Sequence, residues 1–234
     1  DNYNSEANWD DGSCTYPDNG DYSLSFDGND YVDVDNISAY NNLGDFTVSI
    51  DFKSNQSHPS ASLIINEDLG GGGGTYDFWM LSCDYGSIIF YLHNGTEEPH
   101  DEVIYQNINS NDNQWHQAVV NRYSTDGKVV IYIDGILVRE SYQGTGIFQN
   151  GNSIKMGYGV IEGREYVGLL DNVSYWNYIL SPQEINQSTS ADNGLLSYYK
   201  FHAGEGNILY DYSGNANHGT ISGATWVENI YGCT

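Results

Sequence analysis

Residues 128–141 read KVVIYIDGILVRES, two apolar runs on either side of Asp134-Gly135. Valine, isoleucine and tyrosine fill both runs, and these are the residue types that strands prefer. Asp-Gly is a dipeptide that accepts the positive φ angles of a type I′ turn. This stretch therefore predicts an antiparallel β-hairpin.

The same pattern recurs along most of the chain. Short runs rich in Val, Ile, Tyr and Phe are separated by Gly, Asn, Asp and Ser, and Asn94-Gly95 predicts a second tight hairpin turn. The further predicted strands are 22–28, 30–34, 46–52, 61–66, 76–82, 87–95, 115–123, 153–159, 167–177 and 194–201. Many short strands without alternating helices predict an all-β, two-sheet antiparallel jelly-roll sandwich.

One short helix is predicted near residue 182. Ser181 can cap it, Pro182 suits its first position, and Glu184 completes a capping box. We expect a helix of about two turns.

The charge of the chain restricts its partners. The net charge is -25, from 32 acidic and 7 basic residues, so nucleic acid and anionic lipid would be repelled. No apolar run approaches the roughly 20 residues that cross a bilayer, and nothing at the start resembles a signal sequence, so no membrane insertion is expected. Divalent cations, calcium first, are the natural counter-ions. A solvated acidic surface is the alternative.

Four motifs occur in an order that resembles the laminin-G-like, concanavalin-type lectin/glucanase family. They are SFDGNDYV (25–32), QWHQAVV (114–120), KVVIYIDGILV (128–138) and GLLDNVSYWNYILSPQEI (168–185). Residues 194–227 resemble a segment that precedes the first motif in many relatives. Such an exchange of order requires that the two ends of the fold lie close together. We therefore expect this tail to complete the same sandwich.

A second resemblance concerns the ends of the chain. Residues 1–14 (DNYNSEANWDDGSC) and 232–234 (GCT) resemble the later and earlier parts of a cysteine-bearing linker repeat of secreted bacterial surface proteins. The predicted organisation is a linker half-repeat at 1–20, the sandwich at 21–228 and the start of the next linker at 229–234.

The cysteines are interpreted through this second resemblance. It implies that Cys14 pairs with a cysteine upstream and Cys233 with one downstream, or that Cys233 of one copy bonds Cys14 of its neighbour. A Cys14–Cys233 bridge within the chain stays open as an alternative. Cys83 is expected to be a buried free thiol.

Calcium ligands are predicted at two places. Asp27, Gly28 and Asp30 form an acidic turn, and Asp171 follows an apolar strand; carboxylates from separate loops suit a hard cation. The family resemblance supports Asp27 and Asp171 in particular. Asp211 begins the oxygen-rich run DYSGNAN. Local turn hydrogen bonding is the alternative at both places.

Catalysis has little support in the sequence. No predicted strand carries two carboxylates at alternate positions, and the acidic pairs Glu97-Glu98 and Asp101-Glu102 fall in a predicted loop. The histidines show no HExxH spacing, and no serine or cysteine lies in a nucleophile elbow. We therefore expect a protein that is not an enzyme, with a polysaccharide-active enzyme as the remote alternative.

Aromatic residues are abundant enough to bind sugars. The chain has 21 tyrosines and 5 tryptophans, whose flat faces can stack on sugar rings. The expected exposed ligand contacts are Trp79, Tyr85 and Tyr105. The expected core tryptophans are Trp115, Trp176 and Trp226.

The sequence therefore predicts an extracellular, calcium-stabilised adhesion or glycan-binding module of a multidomain surface protein. Its partner would be a glycan, another surface protein or copies of itself. The alternative is a structural repeat of an extracellular filament or sheath joined head to tail.

Overall fold

A computed structural model describes residues 15–35, 40, 43–56, 61–67, 77–94, 101–105, 108–142, 145, 153–159, 164–186 and 194–229. The elements are β1 (Tyr22–Asp27), β2 (Tyr31–Val34), β3 (Phe46–Lys53), β4 (Ala61–Glu67), β5 (Asp77–Asp84), β6 (Ser87–Asn94), β7 (Asp101–Tyr105), β8 (His116–Arg122), β9 (Lys128–Ile133), β10 (Ile136–Tyr142), β11 (Ser153–Met156), β12 (Val167–Trp176), α1 (Pro182–Ile185), β13 (Leu195–Tyr199), β14 (Ile208–Leu209), β15 (Gly219–Ser222) and β16 (Thr225–Glu228).

The strands form two antiparallel sheets. The first has the order β10-β9-β8-β3-β12-β1-β16, with β13 also paired to β12. The second has the order β14-β15-β2-β11-β4-β5-β6-β7. The predicted two-sheet, all-β sandwich is confirmed.

The core lies between the sheets and has an aromatic centre. The ring of Trp79 stacks on those of Phe46 and Phe90, with centroids 5.5 Å and 6.0 Å apart. The ring of Tyr175 meets it edge-on, with a centroid separation of 5.5 Å. All four side chains are almost completely buried. Burying a large side chain of this kind stabilises the fold by about 1.5–3 kcal/mol.

The two predicted hairpin turns have different outcomes. Asp134 and Gly135 have φ angles of 51° and 74°, as a type I′ turn requires, so the β9–β10 hairpin is confirmed. The prediction for Asn94-Gly95 is wrong, because the last residue pair shared by β6 and β7 is Leu92 with Asp101. The connection is therefore longer than two residues.

The acidic pair Asp101-Glu102 was expected in a loop, but it begins β7 and pairs with β6. The apolar residues that follow it, Val103 and Ile104, supply the strand preference. Glu97-Glu98 lies outside the described residues.

The predicted helix is present but shorter than expected. The Ser181 hydroxyl accepts from Glu184 N, and the Glu184 carboxylate accepts from Ser181 N, which confirms the capping box. The helix ends at Ile185, so it has one turn and not two. The segment around it covers part of the outer face of the first sheet, over a cluster of Val119, Val130, Tyr132, Trp176, Leu180, Ile185 and Leu195.

The tail completes the sandwich, as predicted. It contributes β13 and β16 to the first sheet and β14 and β15 to the second. Asn229 N donates to Asp21 O at 2.9 Å, so the two sides of the chain lie next to each other at β1 and β16.

Part of the predicted amino-terminal linker contacts this tail. The Tyr212 hydroxyl donates to Pro17 O at 2.8 Å, and the Asn19 side chain donates to Ala203 O at 2.7 Å. The linker and sandwich boundaries stay predictions. Cys14 and Cys233 lie outside the described residues. Within the described part of the chain, no helix is long and apolar enough to cross a membrane.

Candidate functional site

Tyr85 stands at the tip of the β5–β6 hairpin. Tyr85 and Gly86 have φ angles of 47° and 85°, which makes this a type I′ turn, and the Tyr85 side chain is 65% exposed. A left-handed conformation costs a residue with a side chain about 1–2 kcal/mol, and bulky residues adopt it rarely. The expectation that Tyr85 is exposed is confirmed; its role as a ligand contact stays a prediction.

A polar loop, residues 109–114, packs against this hairpin tip. Ser110 N donates to Gly86 O at 2.9 Å, and a Cβ atom on Gly86 would lie 2.9 Å from Asn111 Oδ1. At its other end, Asn113 N donates to Ser54 O at 2.9 Å. The close approach at Gly86 allows the loop to lie directly beside Tyr85.

His116 fastens the end of this loop to the β9–β10 turn. Its Nδ1 lies 2.9 Å from Asp134 Oδ2, and its Nε2 lies 3.3 Å from Asp112 Oδ1. Partial burial alone would lower the pKa of His116, but the hydrogen bonds and negative charges of Asp134 and Asp112 outweigh it and raise the pKa. Protonated imidazole donates from both nitrogens, so it suits two carboxylates.

The other predicted aromatic contacts are distributed differently. Trp79 is 1% exposed, so the prediction that it contacts a ligand is wrong: its position in β5 points it into the aromatic centre of the core. Tyr105 ends β7, and its side chain lies outside what the structure describes. Trp115 was expected in the core but is 37% exposed, because it precedes β8. Trp176 is buried, as predicted, and Trp226 is half-buried.

The turn of Asp27, Gly28 and Asp30 is held by its own hydrogen bonds. Asp27 N donates to Asp30 Oδ2 at 2.8 Å, and Asn29 N donates to Asp27 Oδ1 at 3.1 Å. Burial raises the pKa of Asp30. Gly28 has a φ of 98°, which a side chain would oppose. These contacts fit the alternative in which the residues serve local turn hydrogen bonding and are not calcium ligands.

Asp171 lies away from that turn. Asp27 faces Val167 across β1 and β12, and Asp171 is four residues further along β12, which is about 13 Å. The structure therefore does not bring Asp27 and Asp171 together in one site. Asp171 instead lies directly opposite Asp51 of β3.

Asp51 and Asp171 form a carboxyl pair on the outer face of the first sheet. Asp171 is 4% exposed; its Oδ1 accepts from Asn172 N at 2.7 Å and its Oδ2 from the Asn229 side chain at 3.1 Å. Asp51 Oδ2 accepts from the Asn172 side chain at 3.2 Å. Asp51 Oδ1 is buried and accepts no hydrogen bond of ordinary geometry from the described residues, although the Gln117 side chain, opposite Asp51 on β8, still favours the charged carboxylate.

Burial governs the titration of both carboxyl groups. It raises the pKa of Asp51 to about 6 and that of Asp171 to about 8, and the charge of Asp51 contributes to the second shift. The sequence reading missed Asp51. The available signal was Asp51 itself, the one charged residue in the predicted strand FTVSIDF.

Asp211 is buried and holds the turn that follows it. Its Oδ1 accepts from Tyr198 N and Ser213 N, and its Oδ2 accepts from the Ser213 hydroxyl and Asn217 N, all within 2.8–2.9 Å. Its lone pairs are occupied by these donors, so the geometry supports the turn alternative.

Within the described ranges, no three His, Cys, Asp or Glu side chains converge closely enough to hold a metal ion. Cys83 is a free, partly buried cysteine packed against the core, and burial raises its pKa to about 12, which keeps the thiol protonated.

The fold and this arrangement define a class, a concanavalin-like β-sandwich that displays loops at the ends of its strands. Residues 26–186, more than half of the chain, match the family model described as the concanavalin A-like lectin/glucanases superfamily, of the laminin G type. The chain belongs to this family.

Individual relatives agree with that assignment. The chain is 30% identical over 166 residues to the rat "Sushi, von Willebrand factor type A, EGF and pentraxin domain-containing protein 1", with 58% of this chain and 4% of that protein covered. The chain thus corresponds to a small part of this curated relative.

Two solved structures share the fold. A Bacteroides ovatus protein, provisionally assigned to carbohydrate binding, gives a TM-score of 0.68 at 18% identity, covering 90% of this chain and 60% of that one. The CBM40 module of a Ruminococcus gnavus IT-sialidase, solved with α2,3-sialyllactose, gives 0.57 at 14% identity, covering 72% and 96%. At these identities the likeness is one of fold.

Proposed function

We propose that this chain is an extracellular module that binds glycans, or adheres through them, within a larger protein. The single observation that carries the proposal is Tyr85, a large aromatic side chain held 65% exposed in a strained turn where asparagine would fit better. Strained residues concentrate at binding sites, because the surrounding structure maintains them for function. An exposed aromatic face is the usual platform for a sugar ring.

The relatives support the choice of ligand. One solved neighbour is assigned to carbohydrate binding and another was solved with a bound oligosaccharide. The curated relative is, by its name, a protein of several different domains. The extracellular setting is proposed from this family context.

We further propose that calcium stabilises the module at Asp171 and Asp51. Of the predicted positions, Asp171 fits a cation best, because a buried oxygen of its neighbour Asp51 accepts no hydrogen bond of ordinary geometry from the described residues. Asn172 and Asn229 border the pair and donate to it through their amide nitrogens. Turning either amide over would present its oxygen, which calcium accepts together with water. The ion would neutralise two opposed carboxylates.

The pair of Asp51 and Asp171 is poorly suited to catalysis, which favours a binding function for the chain. Both oxygens of Asp171 accept hydrogen bonds from the chain, and its side chain is 4% exposed. A glycosidase acid must reach the glycosidic oxygen of its substrate. Asp171 is therefore proposed to have a structural role.

Screening the labelled protein on a glycan array, with calcium and with chelator, tests the function. We expect a defined set of glycans to be bound, and Tyr85→Asn to lose them. Absence of binding to any glycan in calcium would overturn the proposed function.

Thermal unfolding tests the calcium proposal separately. Calcium should raise the Tm of the wild type above its value in chelator, and Asp171→Asn should abolish that rise. Asp27→Asn is the matched control and should keep it. An equal calcium effect in the wild type and Asp171→Asn would exclude the assigned position.

A further inference from the structure

Tyr85 is one part of a larger exposed surface. The loop beside it contributes Asn109, Asn111, Asn113 and Gln114, a run of amide side chains, and ends at Trp115. Asn109, Asn113 and Gln114 are exposed and Asn111 is partly exposed. Amides donate and accept hydrogen bonds at once, as vicinal sugar hydroxyls require.

The surface is fixed before any ligand arrives. Ser110 is tied to the hairpin tip through Gly86 O, Asn113 to the end of β3 through Ser54 O, and Asp112 to His116. Asn109 and Asn113 hold φ angles of 55° and 64°, which asparagine tolerates better than most residues. Prior ordering lowers the entropy that binding would otherwise cost.

The two aromatic residues mark the ends of this surface. Tyr85 is 65% exposed and Trp115 is 37% exposed. Ser110 touches the hairpin tip, and Trp115 is five positions further along the chain. The Cα atoms of Ser110 and Trp115 are therefore at most about 18 Å apart. A ligand several sugar units long can span that distance.

The charge of the surface selects the class of ligand. Residues 84–87 and 108–115 contain no lysine or arginine but include Asp84 and Asp112, on a chain of net charge -25. Lys53 precedes Ser54, which accepts a hydrogen bond from Asn113, and the imidazole of His116, which follows Trp115, is already held between the carboxylates of Asp112 and Asp134. A sialylated or uronic-acid glycan would meet repulsion here without a cationic partner in the loop.

We propose that Tyr85, the loop of residues 109–114 and Trp115 form one binding surface for an uncharged glycan. This inference rests on the proposed function and names its site and ligand class. The ligand lies along the loop, with the two aromatic side chains stacking on sugar rings and the amides bonding hydroxyls. The bound oligosaccharide of the CBM40 neighbour is acidic, so the ligand class here differs from that one.

Titration calorimetry with neutral oligosaccharides, and with sialylated or uronic-acid counterparts, tests the site. Tyr85→Asn keeps a favourable type I′ turn, so it should fold at least as stably as the wild type while affinity falls about tenfold or more. Trp115→Ala and Asn111→Ala should weaken binding in the same direction. The matched control is Tyr142→Ala, an equally exposed tyrosine (61%) at the far end of β10 from the Asp134-Gly135 turn, which should bind as the wild type does.

The outcomes separate this inference from the proposed function. If the wild type and all three site variants bind a neutral glycan equally well, the assigned binding site is wrong and the proposed function stands. Preference for acidic over neutral glycans would overturn the ligand class. No binding of any glycan by the folded wild type would overturn the function and the site together.

Discussion

At the residue scale, His116 shows how one titratable side chain orders the candidate binding loop. It links Asp112 in the loop to Asp134 in the β9–β10 turn. Its pKa is raised in the folded protein, so its contribution is fully present below the unfolded value of about 6.5 and is lost as the pH rises through the folded pKa.

Replacing His116 with glutamine removes this charge. We expect His116→Gln to destabilise the protein by about 0.5–1 kcal/mol at pH 5.5, a cost that shrinks toward zero by pH 8.5. Urea unfolding of both proteins at the two pH values measures it. An equal difference at both values would show that protonation of His116 does not stabilise the fold.

Asp171 has a pH dependence of the same sign as His116, over a window that begins at lower pH. Its pKa is raised to about 8, so between the unfolded value of 3.8 and about 8 the folded protein binds more protons than the unfolded chain. Without divalent ions, this site should lower the stability as the pH rises across that window. Asp171→Asn should flatten the fall between pH 5 and 9 in chelator. An unchanged slope in that variant would refute the assignment.

What the sequence could predict about residues was limited by register. Asp171 could be singled out from its motif, but its partner Asp51 depends on how β3 aligns with β12. The alignment of β5 with its neighbours also decides whether Trp79 faces the core or the solvent, since a shift of one residue turns a side chain to the other face of the sheet. Tyr85 was correctly expected to be exposed, but its turn was not predicted.

At the element scale, the segment after β12 is fastened by a buried polar group. Thr47 Oγ1 accepts from Leu180 N at 3.0 Å and lies 2.6 Å from Asn121 Oδ1, and Asn121 Nδ2 donates to Leu180 O at 2.7 Å. These bonds hold the strand-to-helix motif against the outer face of the first sheet.

Removing one member of this group should loosen the segment. Asn121→Ala leaves buried partners unsatisfied, which costs about 1–3 kcal/mol. Urea unfolding measures the loss, and hydrogen exchange should report faster opening at residues 177–186. The exposed Asn207 is the control, since its alanine variant should change stability by less than about 0.5 kcal/mol. A similar effect of both variants would contradict this role for Asn121.

The elements with clear local signals were predicted well. The β9–β10 hairpin and the capped helix each follow from a few neighbouring residues. β7 was missed because it begins with two acidic residues. β14 has only two residues, and β15 and β16 are short strands that pair with the distant β2 and β1.

At the scale of the whole molecule, the chain enters and leaves the sandwich at the same place. Asp21 and Asn229 pair beside β1 and β16. Segments joined before residue 21 and after residue 229 would therefore start from neighbouring points on the sandwich. Because these two points are adjacent, the segment of residues 194–229 could precede β1 in the sequence, or follow α1 as it does here, and still occupy the same place in the fold.

A circular permutant tests that adjacency. Residues 194–229, joined by a short Asn-Gly turn to residues 21–186, should fold with a Tm within about 4 °C of the unpermuted chain 21–229, a difference of ~1–2 kcal/mol. Both lack residues 15–20, so that contact does not enter the comparison. A permutant that fails to unfold cooperatively would contradict the account.

The central claim is that glycans bind along Tyr85, the loop of residues 109–114 and Trp115. The most direct measurement is a titration of isotope-labelled protein with a neutral oligosaccharide, followed by the backbone amide shifts. The account predicts saturable shifts confined to residues 84–87 and 109–115 and absent in Tyr85→Asn. Shifts centred on another face of the sandwich, or none with any glycan, would contradict it.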